Sequence, residues 1–205
     1  MPTVPDQQPV LVIMGVSGCG KSTVAGLLAG QLGWDLQEGD DLHPARNVAK
    51  MASGQPLTDD DRWPWLDDIG TWIHNHEFAG IPGIITCSAL KRAYRDRIRG
   101  PHVVFVYLAG SGDQIGHRLS ARIDHFMPAA LLESQLATLE PPEADERVLT
   151  VEFAAHPAEM AAEIIGRLSL RPEPFSSALG APAPGYSSAP PLDDLRQSPQ
   201  SGVNS

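Results

Sequence analysis

Short apolar runs alternate with helix-spaced apolar positions along the first 170 residues. Continuous runs of Val, Ile and Leu are typical of buried parallel strands. The sequence predicts five strands, at 10–14, 35–38, 83–87, 103–108 and 148–153. Apolar residues spaced three and four apart predict seven helices, over 21–32, 45–52, 60–76, 91–99, 113–122, 128–138 and 157–168. This alternation predicts an α/β fold in three layers, with a five-stranded parallel sheet flanked by helices.

Composition divides the chain into three parts. Residues 1–9 carry no helix or strand pattern and are predicted to form a flexible N-terminus. Residues 10–170 contain all the predicted elements and form one domain. From residue 171 to 205 Pro, Ser, Gly and Ala dominate, and few large apolar residues remain. Such a segment buries too little apolar surface to offset the entropy of folding, so we predict a disordered tail.

The first predicted strand runs directly into a glycine-rich segment, GVSGCGKS, at residues 15–22. The segment matches the pattern G-x-x-x-x-G-K-[ST] of a phosphate-binding loop, and a predicted helix follows it. Backbone N–H groups of such a loop, together with the helix dipole, bind phosphate oxygens. Lys21 would contact the β- and γ-phosphates of ATP, and Ser22 would ligate Mg²⁺. The predicted nucleotide-binding residues are Gly15, Val16, Ser17, Gly18, Cys19, Gly20, Lys21, Ser22 and Thr23.

The net charge of the chain limits which kinds of molecule it is expected to bind. The formal net charge is -10, which disfavours attraction to nucleic acid or to anionic lipid. A small-molecule substrate is therefore predicted. Neither a signal peptide nor a membrane-spanning apolar run is recognisable, and the two cysteines do not form a disulfide framework, so we expect a cytoplasmic protein.

Acidic residues follow the second predicted strand, in the loop Gly39-Asp40-Asp41-Leu42-His43-Pro44. Phosphoryl transfer to an alcohol needs a group that orients the hydroxyl and accepts its proton, and an acidic group near the metal. Either aspartate could serve in either role, and both could instead cap a helix. In parallel sheets, ligands bind at the carboxyl ends of the strands, which favours a functional loop. Asp40, next to the strand end, is the predicted catalytic residue and a predicted metal ligand.

Basic residues near the third predicted strand are candidates for binding an anionic acceptor. Ser88, Lys91 and Arg95 follow that strand, and Arg62 lies near the start of a helix with tryptophans beside it. The third strand lacks the terminal Asp that motor ATPases and GTPases use for the metal, which favours a small-molecule kinase. Basic residues on a solvated helix face are the alternative interpretation.

Two arginines, Arg118 and Arg122, lie four residues apart in a predicted helix that precedes a short polar loop. Residues 118–128 therefore suit a lid that closes over the triphosphate. The arginines would balance the charge of the phosphoryl group during transfer, and both are predicted to be catalytic and nucleotide-binding. Arginines on a surface helix would have the same spacing.

Three stretches resemble the gluconokinase family of P-loop sugar-acid kinases. They are MGVSGCGKST at 14–23, GDDLHPARNVAKMASGQPLTDDDRWPWL at 39–66 and CSALKRAYRDRIR at 87–99. RLSARIDHFMP at 118–128 is similar to the family's lid. The resemblance implies a nucleoside-kinase-like fold, ATP and Mg²⁺ as requirements, and a homodimer that phosphorylates D-gluconate to 6-phospho-D-gluconate. The acceptor-binding residues that we carry over are Asp40, His43, Arg46, Arg62, Ser88, Lys91 and Arg95.

Two other functions share these features. A related P-loop kinase acting on shikimate, another sugar acid or a nucleoside monophosphate would have the same phosphate loop and lid. A nucleotide-sensing module without enzymatic activity, whose proline-rich tail binds a partner, would bind ATP but show no acceptor-dependent turnover.

Overall fold

The computed structural model describes residues 7–110, 129–152 and 156–173. The predicted helix over 113–122 and the predicted lid over 118–128, with Arg118 and Arg122, lie outside the described residues. Within the described ranges the prediction of an α/β fold with a five-stranded parallel sheet is confirmed.

Five parallel strands form the sheet in the order β2-β3-β1-β4-β5. The central strand β1 is completely buried, as its unbroken apolar run predicts for a strand covered on both faces. The parallel arrangement brings the carboxyl ends of all five strands to one edge. The strands are β1 Val10–Met14, β2 Asp35–Gln37, β3 Gly83–Cys87, β4 Val103–Ala109 and β5 Val148–Glu152.

Six α-helices lie among the described residues, with bounds close to those predicted. The longest, α3, begins one residue earlier and ends three residues later than its apolar pattern indicated. Thr58 and Asp61 form a capping box that fixes its start, and Gly80 ends it in a left-handed conformation. The helices are α1 Lys21–Leu32, α2 Ala45–Ala52, α3 Asp59–Ala79, α4 Arg92–Ile98, α5 Ala129–Thr138 and α6 Pro157–Leu168.

The two faces of the sheet are covered by different helices. Successive residues of a strand face opposite sides, so β1 contributes to two cores. Leu11 and Ile13 belong to a core with residues of α1 and α6. Val10, Val12 and Met14 belong to a core with residues of α3 and α4. The three-layer arrangement predicted from the sequence is therefore present.

Residues near both ends of the described chain are tied to the domain. Gln8 accepts a hydrogen bond from the backbone N–H of Arg171, whose carbonyl accepts one from the Trp34 indole at 3.2 Å. The N–H of Glu173 donates to the carbonyl of Leu32. Ordered contacts thus continue three residues past the predicted boundary at residue 170. Residues 1–6 and 174–205 lie outside the described part.

None of the helices in the described ranges is long and apolar enough to cross a membrane.

Candidate functional site

The loop between β1 and α1 has the backbone that the glycine-rich motif predicts. Gly15 adopts a φ of 139°, a conformation that L side chains rarely adopt. A Cβ placed there would lie 2.9 Å from Cys19 Sγ and 3.1 Å from the carbonyl oxygen of Leu108. The N–H of Gly15 donates to the carbonyl of Ser88, so the loop is attached to the end of β3. Only glycine fits this position.

Lys21 is the first residue of α1, and its ammonium lies over the loop. Nζ donates to the carbonyls of Gly15 and Val16, each at 3.1 Å. At the other side of the loop, the N–H of Ser17 donates to the Gln135 side chain at 2.7 Å. Gln135 lies on α5, and no sequence motif connected it to the loop. A helix remote in sequence therefore helps to hold the phosphate loop.

A carboxylate that the sequence analysis missed lies beside the predicted metal ligand. Ser22 Oγ donates to Glu38 at 3.0 Å, and Thr86 Oγ1 donates to the same carboxylate oxygen at 2.7 Å. Glu38 was interpreted as the last residue of a strand, whereas β2 ends at Gln37. Its position two residues before Asp40, at the same sheet edge, was the available signal. Glu38 links the ends of β2 and β3 to the start of α1.

The backbone after Glu38 is packed tightly against β3. The N–H of Gly39 donates to Thr86 Oγ1 at 3.0 Å, and its carbonyl accepts the Trp65 indole N–H at 2.7 Å. A Cβ on Gly39 would lie 2.0 Å from the carbonyl oxygen of Thr86, so no larger residue fits without displacement. This contact fixes the start of the turn that carries Asp40.

Asp40 lies in the 3₁₀ turn Gly39–Leu42 and is exposed. Its carboxylate accepts no hydrogen bond from the described residues, in contrast to Glu38. Asp40, Lys21 and Arg62 all act electrostatically on the Cys87 thiol at the end of β3. Burial raises the pKa of that thiol to about 12, the charge of Asp40 adds to the rise, and the two cations oppose it. The phosphate loop and the turn that carries Asp40 are both attached to this strand end, by the hydrogen bonds of Gly15 and Gly39.

His43 follows the same turn and stacks on Trp65, with ring centroids 4.2 Å apart and 16° between the planes. Asn47 Nδ2 lies 3.3 Å from its Nδ1. Burial lowers the pKa of His43; the carboxylate of Asp40 raises it and Arg62 lowers it further. Burial therefore favours the neutral form of the imidazole.

Lys91 and Arg62 belong to one cluster around Tyr94. Lys91 Nζ lies 2.8 Å from both carboxylate oxygens of Asp59, and the Tyr94 hydroxyl donates to Asp59 at 2.5 Å. The cationic groups of Lys91 and Arg62 lie 5.6 and 5.8 Å from the Tyr94 ring centroid. Hydrogen bonds from Lys91 and Tyr94 lower the pKa of Asp59. Asp59 offsets one of the two positive charges, so the cluster carries a net positive charge.

The other predicted acceptor residues differ in position. Arg95 is buried: Nε and Nη2 donate to Glu146, and Nη1 donates to three carbonyls, at Ala89, Leu90 and Glu140. Arg95 therefore lies in an internal ion pair and does not join the Lys91 cluster. Arg46 is exposed on α2, and Ser88 contributes its carbonyl to the phosphate loop.

Comparison with known proteins gives a consistent set of relatives. Gluconokinase of Gluconobacter oxydans is 52% identical over 157 residues, which cover 76% of this chain and 88% of that protein. Thermoresistant gluconokinase of Escherichia coli is 44% identical over 161 residues, covering 78% of this chain and 92% of that protein. No family model matches the chain.

Solved structures give the same result. A gluconokinase from Sinorhizobium meliloti is 44% identical, with a TM-score of 0.73 over 80% of this chain and 93% of that one. APS kinase from Mycobacterium tuberculosis, in complex with AMPPNP and APS, is 17% identical with a TM-score of 0.55 over 80% of this chain and 99% of that one. At that identity the likeness concerns the fold alone.

Proposed function

Because the chain belongs to the gluconokinase family, we propose that it transfers the γ-phosphoryl group of ATP to D-gluconate, giving 6-phospho-D-gluconate. One observation in the site carries the proposal beyond the family assignment. The phosphate loop is hydrogen-bonded to the end of β3 through the N–H of Gly15, and the turn that carries Asp40 is hydrogen-bonded to β3 through the N–H of Gly39. A phosphoryl donor and an alcohol acceptor would therefore meet there.

The phosphate loop is the proposed site of the triphosphate. Lys21 Nζ donates to two loop carbonyls, and it would donate to phosphate oxygens in their place when ATP binds. The amide groups of the loop and the start of α1 add donors that are already oriented. Arg118 and Arg122 remain the proposed lid residues that balance charge on the transferred group, from outside the described part of the chain.

Ser22 and Glu38 fit a Mg²⁺ ion that accompanies the nucleotide. A hydroxyl and a carboxylate are the hard oxygen donors that this ion prefers, and they already contact each other at 3.0 Å. The ion would supply positive charge at the β- and γ-phosphates. Glu38 accepts hydrogen bonds from Ser22 and Thr86. We therefore assign the role of the acidic group near the metal ion to Glu38 in place of Asp40.

Asp40 is the proposed base for the acceptor. It would accept the proton of the terminal hydroxyl of gluconate while that oxygen bonds to the γ-phosphorus and the bond from phosphorus to the leaving ADP oxygen breaks. Arg62, Lys91 and His43 would hold the carboxylate and the remaining hydroxyls, with Arg46 at the edge of the site. Orientation and charge balance, rather than covalent chemistry, would supply most of the rate.

We extend the proposal to a cytoplasmic homodimer. The family resemblance supports the dimer, and Cys19 and Cys87, which are both buried and outside any disulfide, are compatible with a reducing compartment.

An acceptor panel tests the function. ADP release would be followed with ATP and Mg²⁺ in the presence of D-gluconate, shikimate, a second sugar acid or a nucleoside monophosphate. We expect turnover with gluconate and little with the others. Faster turnover with another acceptor would identify a different kinase, and ATP binding without any acceptor-dependent turnover would indicate a nucleotide-sensing module.

The assignment of Glu38 has its own test. Glu38 accepts the hydrogen bond of Ser22, the predicted metal ligand. Removing a group that orients a metal ligand typically weakens metal affinity or activity by about 10- to 100-fold. Glu38→Gln should therefore raise the Mg²⁺ concentration that gives half-maximal turnover by about that factor. Asp35→Asn, at the opposite end of β2, is the matched control. Equal Mg²⁺ dependence in both variants would remove Glu38 from the metal site.

A further inference from the structure

Asn47, on α2, is a fully buried polar residue whose amide orientation can be deduced. Its Nδ2 lies 2.7 Å from the backbone carbonyl of Asp61 and 3.3 Å from His43 Nδ1. A carbonyl only accepts hydrogen bonds, so the amide atom that faces Asp61 must be the nitrogen. The same nitrogen faces His43. Its two hydrogens thus serve the carbonyl and the imidazole.

This orientation determines the tautomer of His43. Because Asn47 donates, Nδ1 of the imidazole must be the acceptor, and the single proton of the neutral ring resides on Nε2. No acceptor for Nε2 is present among the described residues. The imidazole thus presents an oriented N–H that no residue in the described ranges accepts.

Packing alone does not account for an asparagine at this position. Asn47 Oδ1 is buried and has no hydrogen-bond partner among the described residues. An unpaired buried amide oxygen destabilises the folded protein, whereas an apolar side chain would leave no such oxygen unpaired. The amide oxygen therefore lowers stability, and the amide nitrogen is the group that contacts other residues.

The location of His43 indicates which substrate would accept the hydrogen bond. The backbone N–H of His43 donates to the backbone carbonyl of Asp40 at 3.3 Å, so His43 directly follows the turn that carries the proposed base. Its stacking on Trp65 holds the ring plane, and the Trp65 indole is itself fixed by the carbonyl of Gly39. The imidazole is therefore held beside the turn of Asp40, where the acceptor would bind.

We propose that Asn47 is a positioning residue that holds His43 as its Nε2–H tautomer, so that the imidazole donates one hydrogen bond to the sugar-acid acceptor. The acceptor half of this inference rests on the proposed function, and the tautomer half does not.

A spectroscopic measurement on the full-length protein tests the tautomer without reference to activity. Long-range ¹H–¹⁵N correlation spectra of histidine-labelled protein distinguish a protonated from an unprotonated ring nitrogen. We expect His43 to carry its proton on Nε2 in the unmodified protein and to become a mixture of tautomers in Asn47→Leu. A proton on Nδ1 in the unmodified protein would overturn the inference, whether or not the Asn47 variant folds.

A matched pair of substitutions tests the hydrogen bond to the acceptor. The amide nitrogen of glutamine can replace Nε2 of histidine, whereas that of asparagine matches Nδ1. His43→Asn should raise KM for gluconate about fivefold to tenfold, the effect of one lost hydrogen bond, without changing KM for ATP. His43→Gln should recover most of that loss. His74→Asn, an exposed histidine on α3, is the control.

The outcomes separate the two proposals. An equal rise in KM for gluconate in His43→Asn and His43→Gln, or a parallel rise in KM for ATP, would overturn the contact between His43 and the acceptor. The proposed gluconate kinase activity would stand in either case. Absence of gluconate-dependent turnover in the unmodified protein would overturn the proposed function together with the acceptor contact, and the spectra would still decide the tautomer.

Discussion

Glu38 and Asp40 lie two residues apart, yet their carboxylates have different surroundings. Glu38 accepts hydrogen bonds from Ser22 and Thr86, whereas Asp40 accepts none from the described residues. A carboxylate that is already hydrogen-bonded is poorly placed to accept a proton from a substrate, and one without partners remains available. The two residues therefore suit different roles at the same sheet edge.

Asp40→Asn tests this division of roles. Loss of a catalytic base typically lowers the rate by about 10²- to 10⁴-fold, and asparagine keeps the shape of the side chain but not its basicity. We expect kcat to fall by that factor while KM for ATP stays near its original value. Asp41→Asn, in the same turn and also exposed, is the control. Near-normal kcat in Asp40→Asn would require another base.

At this scale the sequence predicted motifs better than individual roles. GVSGCGKS predicted the loop conformation because its backbone geometry depends on glycine at fixed positions. Arg95 was predicted to bind the acceptor because it is basic and follows β3. Whether such an arginine faces a ligand or an internal carboxylate depends on Glu146, about fifty residues away, and spacing along the chain does not carry that information.

Replacing Arg95 should affect stability more than binding. The side chains of Arg95 and Glu146 are 2% and 8% exposed, and removing one partner of a buried pair costs about 3 kcal/mol. Arg95→Met should therefore lower the free energy of unfolding at pH 7 by roughly that amount. Urea unfolding measures it, with Arg92→Met, in a more exposed ion pair, expected to lose much less.

The destabilisation caused by Arg95→Met should depend on pH. The hydrogen bonds from Arg95 hold the pKa of Glu146 below its ordinary value of about 4.3. The stabilisation from this pair is therefore complete above that value and is lost as the pH falls through the lower, folded-state pKa. The difference between Arg95→Met and the unmodified protein should shrink when unfolding is measured in acid. A difference that grows in acid would contradict this assignment.

At the scale of elements, the ends of helices show which local signals were readable. Thr58 and Asp61 form a capping box at the start of α3, which begins one residue earlier than the apolar pattern predicted, and that pattern also left the last turn unpredicted. At the end of α6, Ser169 adopts a left-handed conformation with φ of 52°, a position that usually carries glycine. A serine in the sequence does not predict this conformation, because serine also ends helices with ordinary dihedral angles, as Ser53 does.

Ser169→Gly should stabilise the protein. The left-handed conformation costs a residue with a Cβ roughly 1–2 kcal/mol, and the greater freedom of glycine in the unfolded chain offsets about half of the gain. We expect the free energy of unfolding to rise by about 0.5–1 kcal/mol. Ser53→Gly is the matched control, since Ser53 also ends a helix but has φ of -80°. Equal effects at both serines would contradict the conformational explanation.

At the scale of the whole molecule, the alternation of apolar patterns was sufficient to predict the sheet and its two covered faces. Composition changes at residue 171, yet the backbone of residues 171–173 bonds to Gln8, Trp34 and Leu32. Backbone hydrogen bonds depend little on side-chain type, so composition gives no signal for them.

Leu170 tests whether the last described segment belongs to the core. Leu170 is 6% exposed and packs with residues of α1 and α6, so Leu170→Ala should cost about 2–4 kcal/mol in the free energy of unfolding. Leu36→Ala is the comparison, because Leu36 is 39% exposed and should lose far less. Chemical denaturation of both variants decides the matter. Similar losses would place Leu170 outside the cooperative core.

The contact between Ser17 and Gln135 joins positions 118 residues apart. Formation of this bond requires α5 to be seated against the loop, so the Ser17 amide proton is protected from solvent only while the helix is docked. The rate at which the Ser17 amide proton exchanges with solvent would therefore report how often α5 undocks from the phosphate loop. Measuring this one proton would thus show how stably α5 packs against the N-terminal part of the domain.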